Sequence, residues 1–330
     1  MELSNTVPEN RKYFVNNSVH LITARTEEGL PIVPLLFLNL LIWGILARAK
    51  KLYRIKVCHF LFMANHFHMI VVVEDPEHVS AFVGYVKGET AHVINKLLGR
   101  RRKTIWAEGY DSPPLLDPQT VIRYIEYIYL NPIRANLVAT IDEFPGVSSW
   151  EMFKNEVHSR ECFKVHRDEI LPLLLPAMNI NEQRELEDFY RELGKSEEFI
   201  LEPNAWMQCF GLKEEDTQQI RESTLKGIKE QSEEVQKANL RKNKLPLGAT
   251  TLRRQSMLKE HTPRKFSKRM ICIGACKEMR KAYIENYRFL CELASKAFNT
   301  WKTGDFRLKI PPGLFAPRVP SLASVLLYSS

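Results

Sequence analysis

Cysteine is scarce in this chain. The six present (Cys58, Cys162, Cys209, Cys272, Cys276 and Cys291) are scattered over 330 residues, and only Cys272 and Cys276 lie close together. That spacing is neither the paired pattern of a zinc site nor a disulfide framework, and a reducing cytoplasm is the expected setting. A membrane span is missing too. The most apolar stretch, Ile32 to Ala47, is a little short for one, contains Pro34, Asn39 and Gly44, and runs into Arg48, Lys50 and Lys51. It reads as a deeply buried helix with the capacity for a subunit contact, and no membrane partner is expected. The opening ten residues are polar and carry two acids, so a signal peptide is not expected. No internal repeat is evident. Acidic residues are in deficit, 39 against 47 Lys and Arg, giving a formal charge of +8 and a pI near 9.1. That balance favours an acidic polymer as partner. A hydrophobic share of 45% and a charged share of 26% are ordinary for a globular protein, and the length suits two domains.

What the chain does have is the run from Phe60 to Val73, apolar and β-branched, interrupted by His66 and His68. It reads as a buried central strand. Side chains alternate faces along a strand, so both histidines project from one side while Phe67 packs on the other. Two neutral imidazoles side by side make half of a divalent metal site. Before this run, Ser18 to Arg25 alternates and predicts a first strand that includes His20, with Glu27-Glu28-Gly29 as the turn after it. Arg54 to Phe60 predicts another strand, consecutive with the histidine strand. Asp75-Pro76 opens a helix by cap and proline, with an apolar stripe from Val79 to Leu98, ending at Gly99. Four cations follow (Arg100, Arg101, Arg102 and Lys103), which read as a solvated turn or, if they stand beside an active site, as a hold on phosphates. Trp106, in a strand or loop from Ile105 to Leu116, is a candidate for base stacking.

Asp117-Pro118 starts a further helix, with Ile122, Ile125, Ile128 and Tyr129 as its buried stripe. Tyr124, Tyr127, Asn131 and Arg134 fall at three- and four-residue steps and share one face. Pro132 is expected to kink or stop the helix at Asn131.

His66-Phe67-His68 in a strand, followed by Tyr127-Ile128-Tyr129-Leu130-Asn131-Pro132-Ile133-Arg134-Ala135, resembles the single-tyrosine HUH transposases, small insertion-sequence enzymes acting on single-stranded DNA. The Asn-Pro-x-Arg-Ala ending is most similar to the REP-associated tyrosine transposases. Pro145-Gly146-Val147-Ser148-Ser149-Trp150 resembles the segment that closes their catalytic domain, so the resemblance covers about the first half of the chain. It implies an α+β fold with an antiparallel sheet and packed helices on a ferredoxin-like or RRM-like core. It makes His66 and His68 metal ligands, puts Asn131 in place of the third, and makes Tyr127 the nucleophile. Mixed nitrogen and oxygen ligation suits Mg²⁺ or Mn²⁺. Asn136 stands where relatives commonly have glycine.

After Trp150 the composition changes, which divides the chain into a catalytic domain over 1–150 and a mainly helical, basic extension over 151–330. Met152 to Ile200 reads as helical, and Asn204 to Glu234 as short helices. From Lys237 to Lys281 there are fourteen Lys or Arg against two acids. Arg253, Arg254, Lys268 and Arg269 in that run join Arg123 and Arg134 as candidate DNA contacts. The tail from Trp301 to Pro320 reads as an ordered loop packed back on the protein. The expected activity is metal-dependent cutting and transfer of single-stranded DNA near a hairpin or repeat, in the cytoplasm on the nucleoid. A homodimer is left open. The alternatives are a repeat-binding regulator that does not cleave, and a replication initiator with the same histidine motif.

Overall fold

Three antiparallel strands position everything else. In the computed structural model, which describes residues 11–27, 32–101, 103–173, 178–256 and 269–315, they are β1 (Val19–Arg25), β2 (Ile55–Phe62) and β3 (His66–Val73), in the order β1-β3-β2. The histidine strand is therefore central, with Thr23 of β1 and Leu61 of β2 both opposite His68. Between β1 and β2 runs α1 (Leu36–Leu52); after β3 comes α2 (Pro76–Leu97), then α3 (Pro118–Arg134) and the short α4 (Trp150–Lys154). The mixed fold of antiparallel sheet and packed helices is the one expected.

Each face of the sheet carries its own core. Phe67, Met69, Val71 and Val73 point to α1 and α2, together with Ile22, Phe60 and Phe62. Ile70 and Val72, in register with the histidines, point to α3 with Val19, Leu21, Cys58 and Leu61. Helix α1 is apolar nearly all round because it is covered nearly all round. Among the described residues no helix is long and apolar enough to cross a membrane.

Both outer strands are extended by irregular chain. On the β1 side, Thr26, Thr23 and His20 form single bridges with Trp106, Asp111 and Pro114. The prolines of this segment sit where edge chain tolerates a missing N–H. On the β2 side, Phe62 N donates to Val147 O and Ser149 N to Phe60 O, at 2.8 and 3.0 Å. The stretch Pro145 to Trp150 thus closes the sheet along that edge.

The helix starts follow the predicted chemistry. Asp75 accepts from Glu77 N and Asp117 from Thr120 N, each with proline in the first turn. Of the kink or stop expected at Asn131, the stop is corrected, because α3 runs through Pro132 to Arg134. A proline so near the end removes only one intrahelical bond. The remainder closes through Ala135 N to Asn131 O and Leu137 N to Pro132 O, both 2.9 Å. Asn136 then adopts φ 55°, the left-handed conformation that glycine or asparagine supplies.

The second half is mainly helical, as expected, but the stretch Met152 to Ile200, read as helical, is corrected. It contains two antiparallel strands, β4 (Ser159–Lys164) and β5 (Lys195–Ile200), flanking α5 (Ile180–Leu193). Only Cys162 and Phe199 of these strands are buried, so the alternation that announces a strand is absent. Past the short α6 (Ala205–Gln208), one 25-residue helix, α7 (Thr217–Arg241), replaces the expected series of short helices and lies along α3. The last helices among the described residues are α8 (Ala249–Arg253) and α9 (Lys277–Lys302). Gly313 O accepts from Phe14 N, and Leu314 packs with Tyr287 and Tyr13, so the tail folds back as expected up to residue 315. The apolar layer under α1 continues into Cys162, Tyr190, Phe199 and Leu201, across the residue-150 boundary read from composition.

Candidate active site between the histidine strand and the tyrosine helix

His66 and His68 project from β3 toward α3, with ring centroids 4.7 Å apart. Each Nδ1 is engaged by a neighbour. His68 Nδ1 meets Thr23 Oγ1 at 2.9 Å, and His66 Nδ1 donates to Asn65 Oδ1 at 2.7 Å. For His66 this fixes the tautomer and leaves Nε2 as the free lone pair. His68 Nε2 is buried with no hydrogen-bond partner, and so is Asn131 Nδ2. A half-turn of that amide would present its oxygen instead. Buried polar atoms are nearly always paired, and both of these groups, an imidazole nitrogen and a carboxamide, are of kinds that bind a divalent ion.

Both imidazoles are held neutral. Burial, and secondarily Arg25, pushes His66 down to about 4; burial, then His66 and Arg25, pushes His68 well below its usual value. Neutral imidazole is the metal-binding form. Among the described residues no three His, Cys, Asp or Glu side chains cluster to hold a metal. Asn131, the residue the sequence reading puts in place of a third ligand, stands on α3, the helix that faces this side of the sheet.

Three tyrosines of α3 are sorted by their surroundings. Tyr127 lies edge-on to His68, centroids 5.4 Å apart at 68°. Tyr124 stands 5.6 Å from Tyr127, with Arg123 beside its ring, and burial raises its pKa. Tyr129 is fully buried, and its hydroxyl lies 2.9 Å from both His59 Nδ1 and Ser149 Oγ. Of the three, Tyr127 is the one whose ring meets a histidine of the pair. The Arg134 guanidinium sits 5.9 Å from the Tyr127 ring centre and donates to Gln231 Oε1 at 3.0 Å. Gln231 Nε2 in turn donates to Glu126 Oε2 at 2.8 Å. These groups line a shallow depression formed by Arg123, Tyr124, Glu126, Tyr127, Arg134 and Gln231.

The remaining candidate DNA contacts divide. Arg101, Lys103, Arg123, Arg134 and Arg254 are exposed. Arg269 is engaged with Asp111 at 3.2 Å, and burial lowers the pKa of Arg253. Arg100 turns partly inward, with Nη1 buried. Trp106 is corrected: it is 5% exposed, its indole donates to Thr90 Oγ1, and its ring packs on Phe67, so it offers no face to a base. Arg102 and Lys268 lie outside the described residues. Thr23, Asn65 and Gln231 were not predicted. Asn65 adjoins the histidine motif and was within reach of sequence reasoning; Thr23 requires the strand register, and Gln231 carries no signal.

Residues 38–128 match the family model described as "Transposase IS200 like". The matched segment runs from within α1 through β2, β3 and α2 into α3, with both histidines and Tyr127, and the resemblance to single-tyrosine transposases is borne out there. A solved structure described as "Structure of the REP associates tyrosine transposase bound to a REP hairpin" is similar at 16% identity, with a TM-score of 0.38, over 52% of this chain and 92% of the other. No curated protein matches.

Proposed function

We propose that this chain is a metal-dependent single-stranded DNA endonuclease and strand transferase that works through a 5′-phosphotyrosine at Tyr127. The observation that carries the reading is the contact of the Tyr127 ring with His68, whose Nε2 is buried and unpaired. His66, His68 and Asn131 would hold Mg²⁺ or Mn²⁺. When bound, the ion would neutralise charge on the phosphodiester and polarise a phosphoryl oxygen. Thr23 and Asn65 orient the two imidazoles. Arg134 brings positive charge beside Tyr127, where a phosphate must arrive.

Attack by Tyr127 Oη forms an oxygen–phosphorus bond and breaks the bond from phosphorus to the 3′ oxygen. The phenolic proton leaves to solvent, and the departing oxygen takes up a proton as a 3′ hydroxyl. The phosphotyrosine conserves the energy of the broken bond, so another 3′ hydroxyl can displace the tyrosine and complete strand transfer. The substrates this reading assigns are single strands bearing a hairpin or repeat; the REP-associated transposase of the similar structure is bound to a REP hairpin.

The test is covalent capture. Wild type, mixed with single-stranded hairpin DNA and Mg²⁺ or Mn²⁺, should give a protein–DNA adduct that chelation with EDTA abolishes. Tyr127→Phe should give none. Adducts that persist in Tyr127→Phe would remove the nucleophile assignment. Hairpin binding with no adduct under any divalent ion would favour a non-cleaving repeat binder.

A further inference from the structure

Helix α7 belongs to the second half of the chain, outside the segment that matches the transposase family. It nevertheless lies along the tyrosine helix and supplies one wall of the depression beside Tyr127. Its contribution there is Gln231, whose amide is fully directed. The carbonyl accepts from Arg134 at 3.0 Å and the NH₂ donates to Glu126 at 2.8 Å. An arginine at the exposed end of a helix would otherwise sample many rotamers and lose entropy on closing over a ligand. Here one side of the guanidinium is held by Gln231 and the group stays 5.9 Å from the Tyr127 ring. Glu126 has a second contact with α7, because a Cβ at Gly227 would press on its carboxylate.

From this geometry we infer that Gln231 is a positioning residue for the cleavage reaction. Through it, α7 holds Arg134 where the scissile phosphate meets Tyr127, so the second half of the chain completes the active site in cis. The charged and titratable groups around Tyr127 are Arg134, Arg123, Tyr124 and Glu126 on α3 and His68 on β3; the α7 group is neutral. A carboxylate in place of Gln231 would bind Arg134 more tightly but would oppose both Glu126 and an incoming phosphate. A neutral amide orients the cation without cancelling it. The inference rests on Tyr127 acting as nucleophile.

The experiment uses the full chain and single-turnover adduct formation on a hairpin oligonucleotide with Mg²⁺ or Mn²⁺. Gln231→Ala should lower the adduct rate at saturating DNA by about tenfold, as expected for a misplaced charge. DNA affinity should stay within about twofold and thermal unfolding should be unchanged. Arg134→Ala and the double variant should be equally slow, because Gln231 acts only through Arg134. Gln231→Asn, too short to bridge both partners, should not restore the rate, whereas Gln231→His, which can accept from Arg134, should restore part of it. Gly227→Ala offers an independent route: alanine favours the helix, yet displacing Glu126 should slow the adduct. A wild-type rate in Gln231→Ala, or additive losses in the double variant, would overturn the inference and leave the Tyr127 reading standing. A wild type that forms no adduct would overturn both.

Discussion

Tyr127 and Tyr129 stand two positions apart on one helix and meet opposite surroundings. Tyr129 is sealed in the core with its hydroxyl tied to His59 and Ser149, and burial pushes its pKa up. Tyr127 is half-buried against His68. The two phenylalanine variants should therefore separate function from stability. Tyr127→Phe is expected to lose the DNA adduct and to unfold in urea like wild type. Tyr129→Phe is expected to keep the adduct per folded molecule while losing about 1–3 kcal/mol, the cost of stranding the buried His59 Nδ1, since Ser149 keeps its bonds to Phe60. Comparing urea midpoints and adduct yields checks both. The sequence alone placed the histidines on one face, because a two-residue step on a strand admits no other outcome. It could not separate an aromatic beside a cationic run that stacks on bases from one that fills a core. Trp106 turned out to be the latter.

At the scale of the element, helix ends were the most legible feature. An Asp-Pro pair carries its own start signal, and both α2 and α3 begin where that signal stands. The exit from α3 was less so, since the penalty for Pro132 depends on how few residues follow it. Strands β4 and β5 were not legible at all. Each buries one side chain under α1, so neither has a pattern to read. The end of α3 makes a sharp prediction through Asn136. Its backbone is left-handed, its amide donates to Leu245 O at 2.7 Å, and its carbonyl accepts from Asn239 at 3.2 Å. Asn136→Gly keeps the conformation and loses only the side-chain bonds. Asn136→Ala loses the bonds and adds a left-handed penalty of about 1 kcal/mol. The alanine variant should thus be the less stable of the two by roughly that amount, read from paired denaturation curves.

Across the whole molecule, stability should respond to pH through buried histidines, including two outside the histidine pair. Burial is the main cause that holds His20 down to about 4 and His59 down to about 3. In the unfolded chain both titrate near 6.5. A lowered folded pKa means that the unfolded state binds the proton first, so stability is full above about 6.5 and falls as pH drops toward 4. Each should cost about 2 kcal/mol by pH 5. His66 and His68, also held down by burial, add losses of the same sign. Denaturation curves at pH 7 and 5 check that the total exceeds what His20 and His59 give alone. The same scale decides whether the halves on either side of residue 150 are separable. Composition draws a boundary there, but packing crosses it at Gly44. A Cβ on that residue would run into the Phe163 carbonyl oxygen of β4, and backbone on both sides leaves little room to yield. Arg48 and Lys51 of α1 also pair with Glu197 of β5. Two effects oppose each other in Gly44→Ala. Helix propensity alone would stabilise α1 by about 1 kcal/mol, whereas forcing strand and helix apart should cost about 1–3 kcal/mol. If the halves share one core, the steric cost wins and the variant unfolds at lower urea in a single transition. If they fold independently, the β4–β5 sheet can shift away and the helix gain shows as a variant at least as stable as wild type.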